Sequence, residues 1–66
     1  MKMNGIRYLR IKHDFTQEEL AKKIGITRQY ISEVEIGKRS VSDKIALKLA
    51  DVFGVSVSEV RGENIV

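Results

Sequence analysis

The sequence contains no cysteine and no proline, and its only histidine is His13. Without cysteine, the chain can form neither disulfides nor thiolate metal sites. A single histidine argues against a zinc or haem site built from the protein alone. Without proline, none of the helices carries a built-in kink or breaker, so glycines and capping residues must mark the helix ends. We expect no metal and no cofactor.

Long hydrophobic runs are also missing. No apolar run approaches the roughly 20 residues that a membrane-spanning helix needs, and the N-terminal MKMNGIRYLR lacks the apolar core of a signal peptide. We therefore expect a cytoplasmic protein that does not contact a membrane. The 66 residues are enough for a single domain, 1–66, with one modest core.

The positive charge is modest, since 12 Lys and Arg residues against 9 Asp and Glu residues give a net charge of +3. Such an excess suits a nucleic-acid partner, but many proteins share it, so the charge alone decides nothing. No motif marks a nucleophile with its base, a glycine-rich phosphate loop or a pair of metal-binding carboxylates. The sequence therefore argues against an enzyme.

The stretch QEELAKKIGITRQYISEVEI is the most informative part of the chain. Leu20 and Ile24 share one face of a helix, and Ile31 and Val34 share one face of another. The turn between the two pairs contains a glycine and is too short to let the helices separate. Two short helices joined in this way predict a helix-turn-helix over residues 17–36.

Capping signals place these two helices within a compact all-α fold of five helices. Thr16 with Glu19 and Ser56 with Glu59 each match a capping box, in which the two residues satisfy each other's backbone N–H groups. Glycines are expected to end several helices because they adopt left-handed conformations readily. The predicted helices run from about Asn4 to Lys12, from the cap Thr16, from the cap Thr27 to Gly37, from Ser42 to Gly54 and from Ser56 to Gly62.

Four polar side chains occupy the outer face of the second helix of the motif. Arginine matches guanine O6 and N7, and glutamine matches adenine N6 and N7, because both pairs form two hydrogen bonds. Three roles are open for the glutamate: it accepts from cytosine N4, it repels wrong registers, or it holds Arg28 or Arg39 in place. The predicted base contacts are Arg28, Gln29, Ser32 and Glu33.

Four phrases of the sequence resemble a known family. They are IRYLR in the first helix, TQEELAKKIGI through the turn, TRQYISEVEIGKR through the third helix and LKLADVFGVSVSEV in the last two. Together they resemble the Cro and phage-repressor type of helix-turn-helix protein, the XRE family, over almost all of the chain from Ile6 to Val60. The resemblance implies a lambda-repressor-like domain that binds double-stranded DNA and regulates transcription.

The resemblance also implies contacts with the DNA backbone. Gln17 opens the second helix, where free backbone N–H groups and the positive end of the helix dipole favour a phosphate. A hydroxyl on the third helix and two cations just past its end complete the set. The predicted phosphate contacts are Gln17, Tyr30, Lys38 and Arg39.

One structural pair and three departures follow from the same comparison with the family. The family pairs an arginine late in the first helix with a glutamate late in the third, which implies an ion pair between Arg10 and Glu35. Asp43 stands where a large apolar residue is usual, and Ile45 is apolar where a polar residue is usual. Ile36 replaces a polar residue that often contacts the DNA backbone, which leaves an exposed apolar group.

We expect the chain to act as a homodimeric repressor on a palindromic operator. One copy contacts only a few base pairs, whereas a two-fold dimer contacts two half-sites about one helical turn apart. The C-terminal end carries more apolar surface than a small core can bury, and the alternative is that its valines complete the core. The predicted dimer contacts are Val55, Val57, Val60, Ile65 and Val66.

Two other classes of function compete with this hypothesis. A protein-interaction module, such as an antitoxin-like partner in a regulatory complex, would need no arginine or glutamine on the third helix, which is the recognition helix of the motif. An RNA-binding protein would need exposed aromatic rings for base stacking, and only Tyr30 and Tyr8 qualify. No small-molecule ligand is expected for a chain without a second domain.

Overall fold

The computed structural model describes residues 5–62 and has the expected architecture of five helices, with no strand in the described part of the chain. Local sequence signals determine where the helices begin, and a single core holds them together. The helices are α1 (Gly5–Lys12), α2 (Gln17–Ile24), α3 (Arg28–Glu35), α4 (Asp43–Phe53) and α5 (Val57–Val60). The predicted start of the first helix, Asn4, lies outside the described residues.

Both predicted capping boxes are confirmed. The Thr16 hydroxyl accepts from the N–H of Glu19, and the Glu19 carboxylate accepts from the N–H of Thr16 at 2.8 Å. These hydrogen bonds favour the ionised carboxylate and lower the pKa of Glu19, with the Thr16 backbone as the main cause. Ser56 and Glu59 repeat the arrangement at the start of α5. Local chemistry therefore determines where α2 and α5 begin.

The end of α3 is a glycine turn, as predicted. Gly37 adopts a left-handed backbone with φ of 83°. Its N–H donates to the carbonyl of Val34 at 3.2 Å, and the N–H of Lys38 donates to the carbonyl of Glu33 at 2.9 Å. These two bonds form a Schellman motif. The motif turns the chain sharply, so the residues that follow Gly37 run back beside α3.

One apolar core joins all five helices. Within it, Ala21 on α2 is 3% exposed, and its small side chain suits the close packing of α2 against α3. Leu20, Ile31 and Leu49 are completely enclosed. The core consists of Ile6, Leu9, Leu20, Ala21, Ile24, Ile31, Val34, Val41, Ala46, Leu49, Ala50, Phe53 and Val60.

The C-terminal valines differ in their surroundings, and one expectation is wrong in part. Val60 is only 1% exposed, because it packs into the core, so it has almost no surface for a dimer contact. Val55 and Val57 pack against the core but remain partly exposed. Ile65 and Val66 lie outside the described residues. A dimer contact on the described part of this end must therefore rest on Val55 and Val57.

Candidate nucleic-acid interface

The outer face of α3 carries the four predicted base contacts. Ile31 and Val34 point into the core and fix the rotation of the helix. Arg28 and Gln29 are exposed, while Ser32 and Glu33 are partly exposed. The cap Thr27 accepts from the N–H of Tyr30 at 3.1 Å and holds the first turn. The result is a row of polar groups on the solvent-facing side of α3.

Two of the predicted DNA contacts meet at the Glu33 carboxylate. Arg39 donates from Nε to Oε1 at 3.0 Å, and Gln29 donates from Nε2 to Oε2 at 3.4 Å. The Arg39 hydrogen bond is the main reason that the pKa of Glu33 is lowered, so Glu33 is a carboxylate at neutral pH. The sequence hypothesis that Glu33 holds Arg39 in place agrees with this geometry, whereas no such contact with Arg28 is seen between the described side chains.

Tyr30 links the recognition helix to the start of α4. Its hydroxyl accepts a hydrogen bond from the N–H of Ser42 at 3.3 Å. The guanidinium of Arg39 lies 5.1 Å from the centre of the Tyr30 ring, which is a cation–π distance. Accepting from Ser42 does not use the hydrogen of the tyrosine hydroxyl, which remains chemically able to donate to a phosphate oxygen.

Arg10 and Glu35 form the expected ion pair, and it is bidentate. The distances are 2.6 Å from Arg10 Nε to Oε2 and 3.1 Å from Arg10 Nη2 to Oε1. The Glu35 side chain is 2% exposed and that of Arg10 is 14% exposed. Arg10 Nη1 also donates to the carbonyl of Phe15 at 2.8 Å. The pair therefore fixes the end of α1 against both the α1–α2 turn and the end of α3.

Gln17 joins this buried pair, a contact that the sequence did not predict. Its Nε2 donates to Glu35 Oε1 at 3.1 Å. Gln17 is the first residue of α2, so the bond fixes the predicted phosphate contact relative to the recognition helix. No local signal could reveal it, because the two residues meet only once α2 and α3 have packed.

The residues after α3 and at the rim of α4 show how the departures from the family pattern are accommodated. Lys38 is exposed beside α3, and Ile36 is 63% exposed, as expected for this position. The side chain of Asp43 is 98% exposed and accepts from Arg61 at 2.7 Å. Ile45 packs against the core instead. The apolar contact has therefore moved from residue 43 to residue 45.

Other kinds of site have little support in this fold. Among residues 5–62, no three His, Asp or Glu side chains are grouped so that they could hold a metal ion. His13 packs its ring 5.1 Å from that of Phe53, which is a structural contact. None of the helices between Gly5 and Val60 combines the length and the apolar character that crossing a bilayer requires.

Comparisons of the sequence and of the fold with known proteins agree with a helix-turn-helix. A helix-turn-helix family model covers residues 6–60. An uncharacterized HTH-type transcriptional regulator of Methanocaldococcus jannaschii is 46% identical over 57 residues, 86% of each chain. Antitoxin PezA of Streptococcus pneumoniae is 39% identical over 60 residues, which are 91% of this chain but 38% of the antitoxin. The crystal structure of the restriction-modification controller protein C.AhdI from Aeromonas hydrophila matches with a TM-score of 0.77 and 38% identity, covering 85% of each chain.

The family match includes the whole of the interface described above. Residues 6–60 contain α2, α3, the turn after Gly37 and the start of α4. The expected family is therefore confirmed by sequence and by fold. The chain belongs to the helix-turn-helix family of the Cro and phage-repressor type, and it is a DNA-binding transcriptional regulator.

Proposed function

We propose that the protein is a repressor that occupies a palindromic operator as a homodimer. The observation that carries this proposal is the outward row of base-contacting side chain types on α3, held in place by Ile31 and Val34 on the buried side. An eight-residue helix with a polar outer face fits the major groove of B-DNA. Occupying an operator prevents transcription without any further activity of the protein.

Each residue of the row has a role set by its chemistry. Arg28 donates two hydrogen bonds to guanine, and Gln29 pairs with adenine through its amide oxygen and nitrogen. Ser32 contacts a base edge as donor or acceptor. Glu33 accepts from the amino group of cytosine. These assignments are proposals that the exposure of the four side chains supports.

The phosphate contacts surround this row. Gln17 lies at the N-terminal end of α2, where the helix dipole and free N–H groups attract an anion. Tyr30 on α3 and Arg39 just past the end of this helix lie together, and Lys38, next to Arg39 in the chain, is exposed. Contacts of this kind set the affinity and the register but carry no sequence information.

The dimensions of the protein support a homodimer. The domain measures 29 × 23 × 23 Å, whereas half-sites contacted from one side of the DNA lie about 34 Å apart. Two copies side by side on one face of the DNA would span a length comparable to this spacing. The partly exposed Val55 and Val57 supply an apolar contact for the second copy.

A second candidate function is supported by the similarity to antitoxin PezA. An antitoxin-like protein would act with a partner protein in a regulatory complex. This chain spans 38% of that antitoxin, so the similarity covers less than half of it. The repressor proposal needs only the helix-turn-helix described above and is therefore preferred.

Selection of bound duplexes from a random DNA pool tests the proposal. We expect an inverted repeat to be enriched, with half-sites about one helical turn apart, and transcription in vitro to fall when this site overlaps a promoter. Recovery of sequences with no common motif would contradict operator recognition. A motif without inverted symmetry would contradict the homodimer, and increased transcription would contradict repression.

A further inference from the structure

We propose that Arg39 is a positioning residue that determines base specificity through Glu33. Its guanidinium serves as the counter-ion of the Glu33 carboxylate and directs it towards the amino group of a cytosine in the major groove. This inference rests on the proposed binding of DNA through α3. Arg39, which lies past the end of α3, thereby takes part in determining which base is bound.

The geometry behind this proposal is a chain of contacts across three elements. Arg39 reaches back from the turn after α3 and donates to Glu33 Oε1 at 3.0 Å. The same guanidinium lies against the ring of Tyr30, 5.1 Å from its centre. The Tyr30 hydroxyl in turn accepts from the N–H of Ser42, the cap of α4. Arg39 therefore rests on a Tyr30 ring that is itself anchored to α4 while it donates to the carboxylate.

Glu33 needs such a counter-ion because a bare carboxylate is repelled by DNA. Phosphates line both edges of the groove, and their negative potential opposes an approaching anion. The side chain of Glu33 is only 28% exposed, whereas that of Arg39 is 51% exposed. The cation thus lies on the more open side of the pair, where it offsets the charge and leaves carboxylate lone pairs available to accept.

Gln29 contributes a second restraint on the same carboxylate. Its Nε2 donates to Glu33 Oε2 at 3.4 Å across one turn of the helix. Arg39 and Gln29 thus bind different oxygens of Glu33 and limit the rotation of the carboxylate. A side chain restrained before binding loses less conformational entropy when it meets a base.

The test replaces each of two neighbouring cationic residues by an uncharged one, in the variants Arg39→Met and Lys38→Met. Both remove one positive charge and keep an unbranched apolar stem, but only the Arg39 side chain donates to the Glu33 carboxylate, whereas Lys38 meets Glu33 through its backbone N–H. Sites are selected from random DNA with each full-length variant. We expect Lys38→Met to weaken all sequences alike and to retain the cytosine preference. In Arg39→Met, the preference for cytosine over the other bases should fall by about fivefold or more at one position of each half-site.

A double variant separates this role from a simple phosphate contact. If Glu33 repels DNA once its counter-ion is gone, adding Glu33→Gln to Arg39→Met should restore affinity by about fivefold without restoring the cytosine preference. An Arg39→Met profile identical to that of Lys38→Met would overturn the inference, as would a double variant no tighter than Arg39→Met. A wild-type protein that selects no motif at all would instead overturn the proposed function. Circular dichroism of each variant establishes that it is folded before the DNA measurements are compared.

Discussion

Gly5 lies so close to the backbone of Glu59 that a Cβ atom on residue 5 would stand 2.2 Å from the Glu59 carbonyl oxygen. The carbonyl oxygen of Val60 would be 2.4 Å away. Both are backbone atoms at the end of α5, so neither can rotate aside as a flexible side chain would. The glycine is needed here for space, and it lets the backbone of α1 rest directly on α5.

We therefore expect Gly5→Ala to lower the free energy of unfolding. Overpacking of this kind costs about 1–3 kcal/mol, which outweighs the roughly 1 kcal/mol that alanine gains over glycine within a helix. Unfolding in urea, followed by circular dichroism, measures the change. Lys48→Ala, at an exposed position of α4, is the control and should be close to neutral. A Gly5→Ala protein as stable as the wild type would show that α1 and α5 do not pack this closely.

The contrast between Gly5 and the helix caps shows what the sequence can predict. A capping box such as Thr16 with Glu19 closes within one turn, so its residue types and spacing are sufficient to recognise it. The need for Gly5 arises from a helix at the other end of the chain. Val60, which the sequence predicts as a dimer contact, differs for a similar reason, because its burial depends on how α5 packs against the other helices. Local signals therefore predict the helices better than their contacts.

The ion pair between Arg10 and Glu35 should stabilise the fold more than any exposed pair. Glu35→Ala leaves Nε and Nη2 of the largely buried Arg10 guanidinium and the Gln17 amide without their acceptor, at a cost of about 3 kcal/mol. Thermal unfolding monitored by circular dichroism measures the loss. Glu18→Ala removes an exposed carboxylate of α2 and serves as the matched control. Equal melting temperatures for the two variants would contradict a structural role for the pair.

The candidate site could be predicted only in part, because local patterns in the sequence do not show which elements meet in the fold. The period of an α-helix places Arg28, Gln29, Ser32 and Glu33 on one face as soon as Ile31 and Val34 are recognised as core residues. The return of Arg39 to Glu33 depends instead on the path of the chain after Gly37. That path is a property of the folded turn. Several roles for Glu33 are open from the sequence alone, because the sequence does not show whether Arg39 returns to Glu33.

The recognition helix assignment leads to a prediction about DNA binding. Arg28→Ala should weaken binding to the preferred site by about 1–3 kcal/mol and relax the preference at one position of each half-site. Lys38→Ala is the comparison, because loss of a phosphate contact should weaken all sequences alike and reduce the salt dependence. Fluorescence anisotropy with the selected duplex and with single-base variants measures both effects. If Arg28→Ala changes neither affinity nor preference, α3 does not contact bases through Arg28.

The capping box of α2 makes a prediction about acid stability. Folding lowers the pKa of Glu19, so the folded chain binds fewer protons at this carboxyl than the unfolded chain does. Its stabilising effect is therefore present above the ordinary pKa near 4.5 and is lost as the pH falls through the lower folded value. Glu19→Gln keeps a capping side chain but cannot titrate. We expect the stability difference from the wild type to shrink as the pH falls below 4.5.

Chemical denaturation at a series of pH values measures this difference. Glu18→Gln removes a neighbouring carboxylate that is not part of the capping box, and its difference from the wild type should change less over the same range. A Glu19→Gln difference that stays constant from neutral to acidic pH would indicate that the charge of the carboxylate contributes nothing to the cap.

The dimer prediction rests on the different surroundings of Val57 and Val60. Val57 keeps exposed surface on α5, so Val57→Asp should place a charge in the contact between two copies, favour monomers and weaken operator binding. Val60 is 1% exposed, so Val60→Ala should lower stability by about 1–3 kcal/mol through a core cavity and affect association only through folding. Sedimentation at micromolar concentration, with and without operator DNA, separates the two effects. A wild-type chain that remains monomeric both free and on its operator would leave Val57 as a residue at the edge of the core.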